Sequence, residues 1–389
     1  MRGEIVGIVY QRVCVRIQRI VFCGGKVKGM FPVPFGNGSG HEFLLQGKKH
    51  LSKNQILTNI RKIVGIFAYF CMTDKKFRTM ENKKLTPMKF LPDVQEMPWG
   101  TVEYKLADLG FVDSMACEGW LKGNTLSDIM QTYLERVVGE TAFEWYGTQF
   151  PVLVKRLTVK GRSSLHVNPD DETAEQRYDS FGKTALWYVE AAGPNARLYL
   201  GFKRPVSAEE FYKACMEGRV EPLLHSVTPK AGERYLIEPG MVHAAKDVTL
   251  LEIAEASELW FRLHDWGHTE RELHLEEAFD LIDLKGKTGA HGAETVATEQ
   301  FTVNAIPLTD ALKSHRDLDD TFLVYICVKG AAVLQADGAN YGLKAGEVVL
   351  VPAEVQDFFL VPAEKGTELL EVRMDPRAED DLVSAPVEE

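Results

Sequence analysis

What is scarce in this sequence narrows its class before any motif is read. It holds six cysteines, none paired as Cys-x-x-Cys and none regularly spaced. A disulfide frame is therefore not expected. Scattered thiols with apolar flanks, such as Cys215 and Cys327, fit reduced cysteines of a cytoplasmic protein. No stretch reaches ~18 uninterrupted apolar residues, so no membrane-crossing helix is predicted. A basic excess is lacking too: 45 Lys and Arg stand against 56 Asp and Glu, a net charge of −11. Nucleic-acid binding needs clustered cationic side chains to meet phosphates, and that class is set aside. What remains is a soluble chain of 389 residues, 45% hydrophobic, long enough for two or three domains and suited to small-molecule chemistry.

Acidic residues are missing from one region in particular. Residues 1–79 carry 14 basic and 3 acidic side chains, a net +11 that leaves −22 on the rest. Their apolar runs, IVGIVY and RKIVGIFAYFCM, show no sustained period. Met80 then opens a different kind of sequence, MENKKLTPMKFLP. We expect 1–79 to be an atypical extension, from a start placed too early, with folding to begin near Met80; a basic targeting arm is the other reading.

From Val152 onward short β-rich runs alternate with turn residues: PVLVKRLTV, SSLHVN, TALWYVEA, ARLYLGF, RYLIEP, VTLLEIAE and LWFRLHD. This predicts a mainly β chain. Two helices interrupt it. LSDIMQTYLERVVG at 126–139 has Ile129, Tyr133, Leu134 and Val137 on one stripe. Near 205–228, Ser207 stands as a cap three residues before Glu210, with Phe211, Cys215 and Met216 as its apolar positions. Residues 286–299 are small and polar and read as a linker, 300–375 form a second set of short strands, and 376–389 read as a disordered acidic tail. AGERYLIEPG at 231–240 and AGEVVLVPAE at 345–354 look like copies of one unit, so two jelly-roll, cupin-type barrels are expected over 80–285 and 300–375. Only the first copy has a histidine after its proline turn, His243.

Inside such a barrel, donors from different strands converge. His166 and Asn168 alternate on one strand face and His243 comes from another strand. A lone buried histidine is as readily a core residue. Lys183 could be an ordinary turn lysine, and Asp170 and Asp171 read as turn residues. Glu252, between Leu251 and Ile253, needs a buried partner, for which Arg262 is the candidate. Trp187, Tyr188, Trp260 and Phe261 read as core rather than as a sugar platform.

Several blocks, in order over about 200 residues, resemble the bacterial class I mannose-6-phosphate isomerase family. LTPMKFLP…PWG is similar to that family's first strand, and FPVLVKRL precedes the barrel strand as it does there. LHVNPDDETAEQ resembles QVHPDDEYA, GKTALWYV resembles GKTECWYI, and EPGMVHA resembles PSGTVHA. LLEIAEASELWFRLHDW resembles LETQQSSDTTYRLYDY. The resemblance implies an aldose–ketose isomerase for mannose 6-phosphate and fructose 6-phosphate, with a divalent metal, typically Zn²⁺, holding the sugar oxygens while a proton moves through an enediol. It implies catalytic roles for Lys183, Glu252 and Arg262, the last balancing enediolate charge, and a metal set of His166, Asn168 and His243.

Two blocks depart from the pattern. Gln-x-His becomes His166-x-Asn168, an exchange of imidazole and amide. The metal-binding Glu becomes Ala185. Residues 185, 187 and 189 share one strand face, so Glu190 lies on the other and cannot replace it. The resulting neutral set should bind Zn²⁺ more weakly. Two other readings stay open: a non-catalytic sugar-binding cupin, and another cupin enzyme with a rebuilt site. For the sugar phosphate, Arg162, Arg177, Lys183 and Arg262 are the basic candidates. The oligomeric state is not legible.

Overall fold

The computed structural model describes residues 21–23, 26–28 and 83–374, except 269, 287–293 and 318–320. The chain divides into two units, Met1–Met80 and Glu81–Glu389. Of the first, the described part is a hairpin pairing Val21–Cys23 with Lys26–Lys28. The rest of the expected 1–79 extension and the 376–389 tail lie outside the described residues. The second unit is mainly β, as expected, and no described helix is long and apolar enough to cross a membrane.

Nine strands form the large sheet: β1 (Asp93–Met97), β2 (Gly100–Leu106), β3 (Val152–Arg162), β4 (Leu165–Val167), β5 (Ala185–Phe202), β6 (Leu224–Val227), β7 (Arg234–Ile237), β8 (His243–Glu255) and β9 (Phe261–His264). Their main path is β6-β5-β8-β3-β2-β1. β7 adds to β5, and β4 joins β8 to β9. Alternation then sorts the side chains. Leu153, Leu157, Val159, Ala185, Trp187, Val189, Leu250 and Ala254 share one core, built from this sheet and the loops between its strands. A sheet face that packs on itself in this way must curl around its own interior. Val152, Val154, Leu186, Leu251 and Ile253 face the other way.

That outer face meets the helices and the C-terminal strands in a second core. Helices α1 (Leu126–Tyr133), α2 (Glu135–Val138) and α3 (Glu140–Tyr146) contribute Ile129, Tyr133, Val137 and Ala142. The expected single helix over 126–139 is broken. Leu134 sits at φ 49° and ends α1, which takes it out of the predicted apolar stripe. Further helices include α4 (Asp171–Tyr178) and α5 (Ala208–Met216). Ser207 caps α5 as predicted, accepting from Glu210 N at 3.1 Å. Met216, expected on its apolar side, is exposed.

The C-terminal strands are β10 (Thr295–Ala297), β11 (Thr302–Leu308), β12 (Leu312–His315), β13 (Leu323–Lys329), β14 (Ala331–Ala336), β15 (Ala339–Lys344), β16 (Val348–Val351), β17 (Asp357–Pro362) and β18 (Thr367–Arg373). They make a five-stranded sheet, β10-β11-β18-β13-β16, and a four-stranded one, β12-β17-β14-β15. Tyr325, Cys327, Val349 and Leu369 of the first pack on Leu334, Phe358 and Leu360 of the second.

The repeated segment holds in three dimensions, and it extends one residue upstream. Lys230-Ala-Gly-Glu233 and Lys344-Ala-Gly-Glu347 each close the same turn, the glutamate side chain accepting from the lysine N at 2.8 Å. Gly232 and Gly346 take φ near +87°, at 89° and 85°, a conformation that favours glycine. The first turn bonds to Val189 and the second to Cys327 through equivalent backbone pairs. Two residues before each lies an aromatic side chain, Trp187 or Tyr325, whose cross-strand partner is a carboxylate. Tyr325 Oη donates to Glu371 Oε2 at 2.7 Å, and Asn304 Nδ2 donates to Glu371 Oε1 at 3.3 Å.

Candidate active site

Adjacent strands β9, β4 and β8 set Arg262 opposite His166 and His166 opposite His243. Cross-strand partners share a face, so these three side chains line one patch. The His166 and His243 ring centroids lie 6.2 Å apart, and Trp260 stacks 4.3 Å from His166. Trp187 stands edge-on to His243 at 5.5 Å. Asn168, two residues beyond His166, is buried, and its Nδ2 donates to Lys183 O at 3.2 Å.

The same enclosed face carries a buried charge cluster. Glu252 Oε2 accepts from Trp187 Nε1 at 2.7 Å, and Oε1 lies 3.2 Å from Lys155 Nζ and 3.3 Å from Lys183 Nζ. These two contacts are ion pairs without hydrogen-bond alignment. Glu258 closes the cluster, pairing with Lys155 and, at 3.5 Å, with Lys183. Glu252's partners are thus the two lysines; Arg262, the partner anticipated from sequence, instead donates to Ser164 Oγ at 3.3 Å and to Glu272 O at 2.8 Å. Lys155 and Glu258 were not singled out in the sequence. A signal existed for Lys155: it interrupts the inward series Leu153, Leu157, Val159.

Position sets ionisation here. Burial works to raise the Glu252 carboxyl, but Lys155 and Lys183 outweigh it and hold the group well below the usual carboxylate range. Burial works to lower Lys155, but Glu252 and Glu258 prevail and keep it charged. Lys183 is lowered, by burial and by Lys155, against the pull of both glutamates. His166 is driven well down, first by burial and then by His243, Arg262 and the lysines. Burial pushes His243 down to about 4, against the Met241 carbonyl and Glu252.

The last shift predicts a pH dependence. An unfolded His243 takes a proton near 6.5, whereas the folded ring resists it until about pH 4. The stability held in the neutral ring is therefore complete above pH 6.5 and lost as pH falls toward 4, a change of about 3 kcal/mol. Urea denaturation across that window should show it. His243→Gln should flatten this part of the curve, and an unaltered slope would refute the assignment.

The turn residues after Pro169 do more than turn. Asp170 caps α4, its Oδ1 accepting from Thr173 N at 2.8 Å. Asp171 accepts from Gly182 N at 2.9 Å and so fixes the segment that presents Lys183. Glu190 lies outside the enclosed face, as alternation required, held by Arg156 at 2.5 Å. Trp187, Tyr188 and Phe261 are buried, while Trp260 is only half-buried. Of the basic candidates for a phosphate, Arg162 pairs with Glu221 at 3.1 Å and Arg177 with Asp280 at 3.0 Å. Lys183 is committed to the cluster. Arg262 makes no ion pair with a carboxylate among the described residues.

A metal set can be tested against these donors. His166 Nε2 is buried without a hydrogen-bond partner, a free lone pair if unprotonated. His243 Nδ1 lies 2.9 Å from Met241 O, which leaves its Nε2 as the lone pair. Asn168 adds at most a neutral amide oxygen. Ala185 points to the same face and supplies nothing, and Glu252 is spent on two ammonium groups and an indole. Among the described residues no three His, Cys, Asp or Glu side chains converge as a metal seat. This set does not fit a zinc site, which needs three or four converging donors and here lacks an anionic one.

The fold is similar to that of solved mannose 6-phosphate isomerases. A crystal structure of the mannose 6-phosphate isomerase from Bacillus subtilis superposes with a TM-score of 0.66 at 23% identity, covering 75% of this chain and 100% of that one. A zinc-bound mannose 6-phosphate isomerase superposes with a TM-score of 0.61 at 15% identity, covering 75% and 100%. A family model for the cupin domain of mannose-6-phosphate isomerase matches residues 293–362. The mannose-6-phosphate isomerase ManA of Bacillus subtilis is 26% identical over 315 residues, 70% of this chain and 95% of its own length. The chain is thus similar, over about 70% of its length, to mannose-6-phosphate isomerases.

Proposed function

We propose that this chain interconverts mannose 6-phosphate and fructose 6-phosphate, and that its two curled sheet systems are two cupin-type jelly rolls of which only the first is catalytic. The carrying observation is the buried Lys155–Glu252–Lys183–Glu258 cluster beside two neutral imidazoles on one enclosed face. Aldose–ketose isomerisation removes the C2 proton, protonates O1, and then returns a proton to C1 as O2 becomes the carbonyl. Such a reaction needs a proton acceptor and a proton donor side by side in a site that excludes water. His166, with its unpartnered Nε2, is the acceptor on this face, and Glu252 holds the two lysines in place beside it. Lys183, the ammonium with the longer carboxylate contacts, is the donor toward a sugar oxygen. Arg262, without a carboxylate partner among the described residues, offsets negative charge on the enediolate.

The test is turnover of mannose 6-phosphate by the purified full chain, run in D₂O. Fructose 6-phosphate should form and carry solvent deuterium at C1. The substitutions at 168 and 185 favour one other reading, a sugar-binding barrel that has lost its chemistry. Its signature in the same experiment is saturable sugar-phosphate binding with neither turnover nor deuterium uptake.

A further inference from the structure

We infer that this site functions without a bound divalent metal, its positive charge supplied by Lys155, Lys183 and Arg262 of the chain itself. The reasoning rests on the donors and their charges. Two carboxylates, Glu252 and Glu258, face two ammonium groups at 3.5 Å or less, and the cluster is neutral as it stands. The two imidazoles carry no charge to offset a cation. Arg262, opposite His166 on the neighbouring strand, already brings one positive charge to the patch. A divalent ion on His166 and His243 would sit in a buried site with no anion of its own, beside a guanidinium and within reach of two ammonium groups. Buried charge without a partner is among the least favourable arrangements in a protein.

Three positions account for the change, and each can be reversed. Ala185 shares the enclosed face with Trp187, which touches His243. A carboxylate at 185 would therefore enter the same patch as the imidazoles. Asn168 is held by the Lys183 carbonyl and offers an amide where an imidazole could reach inward. His166→Gln, Asn168→His and Ala185→Glu together would supply two imidazoles, an amide and one anionic donor.

The inference depends on the isomerase reading only for its activity arm. The full chain is loaded with excess Zn²⁺ or Mn²⁺, dialysed against metal-free buffer and analysed by plasma mass spectrometry. Zinc affinity is measured in parallel by competition with a chromophoric chelator. The wild-type chain should retain under ~0.1 equivalent, and the triple variant about one, with zinc affinity raised at least ~100-fold. One equivalent retained by the wild type and lost in His243→Ala would overturn the inference. A folded triple variant that gains no zinc would overturn the assignment of the three positions. If the triple variant does not fold, wild-type retention still decides. Turnover by the wild type should survive a strong chelator; loss that zinc restores would also overturn it. Absence of turnover with no retained metal sinks the isomerase reading alone.

Discussion

Glu252→Gln should lower turnover by roughly three orders of magnitude, the scale of a lost general base or charge-positioning group. The substitution keeps the shape and the acceptor for Trp187 but deletes the charge that two lysines share. Lys155 and Lys183 then compete for Glu258, their mutual repulsion rises, and Lys183 shifts further toward its neutral form. Folding should suffer as well, by about 3–5 kcal/mol, because breaking a buried pair leaves charge unmatched in a region closed to water. The two losses can be separated. Adding Lys155→Met to Glu252→Gln restores charge balance, one ammonium against one carboxylate. Much of the stability should return while activity stays low. Denaturant midpoints beside steady-state rates measure both. Recovery of activity together with stability would show that Glu252 serves only to balance charge.

Phe322→Ala should destabilise the second unit by about 3–5 kcal/mol, the range for emptying a large buried aromatic site. Phe322 is fully buried, and its ring lies 4.7 Å from that of Phe150, the residue that leads into β3. Its N donates to Val138 O at 3.1 Å, at the end of α2. This core joins the outer face of the large sheet to the five-stranded sheet, with Leu186 and Ile253 from one and Val324 and Val372 from the other. Met88 bridges to Leu350 by reciprocal backbone bonds of 2.8 and 2.9 Å. Loss of Phe322 should therefore weaken both sheet systems in one transition. Unfolding followed by tryptophan fluorescence and by far-ultraviolet circular dichroism should give coincident curves. Two separated transitions would show that the shared core does not couple them.

Much of this architecture could be read in the sequence because strand periodicity is a local rule. The sharing of one face by 185, 187 and 189, with Glu190 opposite, follows from alternation and holds. So does the Ser207 cap, a contact spanning three residues. What escaped depends on distance along the chain or on single torsions. The break at Leu134 is a φ value that no pattern announces. The α4 helix was hidden behind Pro-Asp-Asp, whose capping role is as readily that of a turn. Glu258 lies outside any regular strand and gains its place only when β8 and β3 bring Lys155 beside it. Glu252 was known to need a partner. Which cation answered was decided by a register pairing with a strand nearly 100 residues away.

Each of the two repeated turns stands beside a row of three side chains on neighbouring strands. In the first half, Lys155, Glu252 and Trp187 lie side by side on β3, β8 and β5. In the second half, Asn304, Glu371 and Tyr325 occupy the corresponding places on β11, β18 and β13. The carboxylate with its aromatic donor is common to both copies, yet the second has an amide where the first has an ammonium. The matching registers show that one local geometry, an acid facing an aromatic donor across two strands, is built twice in this chain. A single side chain separates them: an amide beside Glu371 leaves a hydrogen-bonded pair, whereas an ammonium beside Glu252 makes a charged cluster.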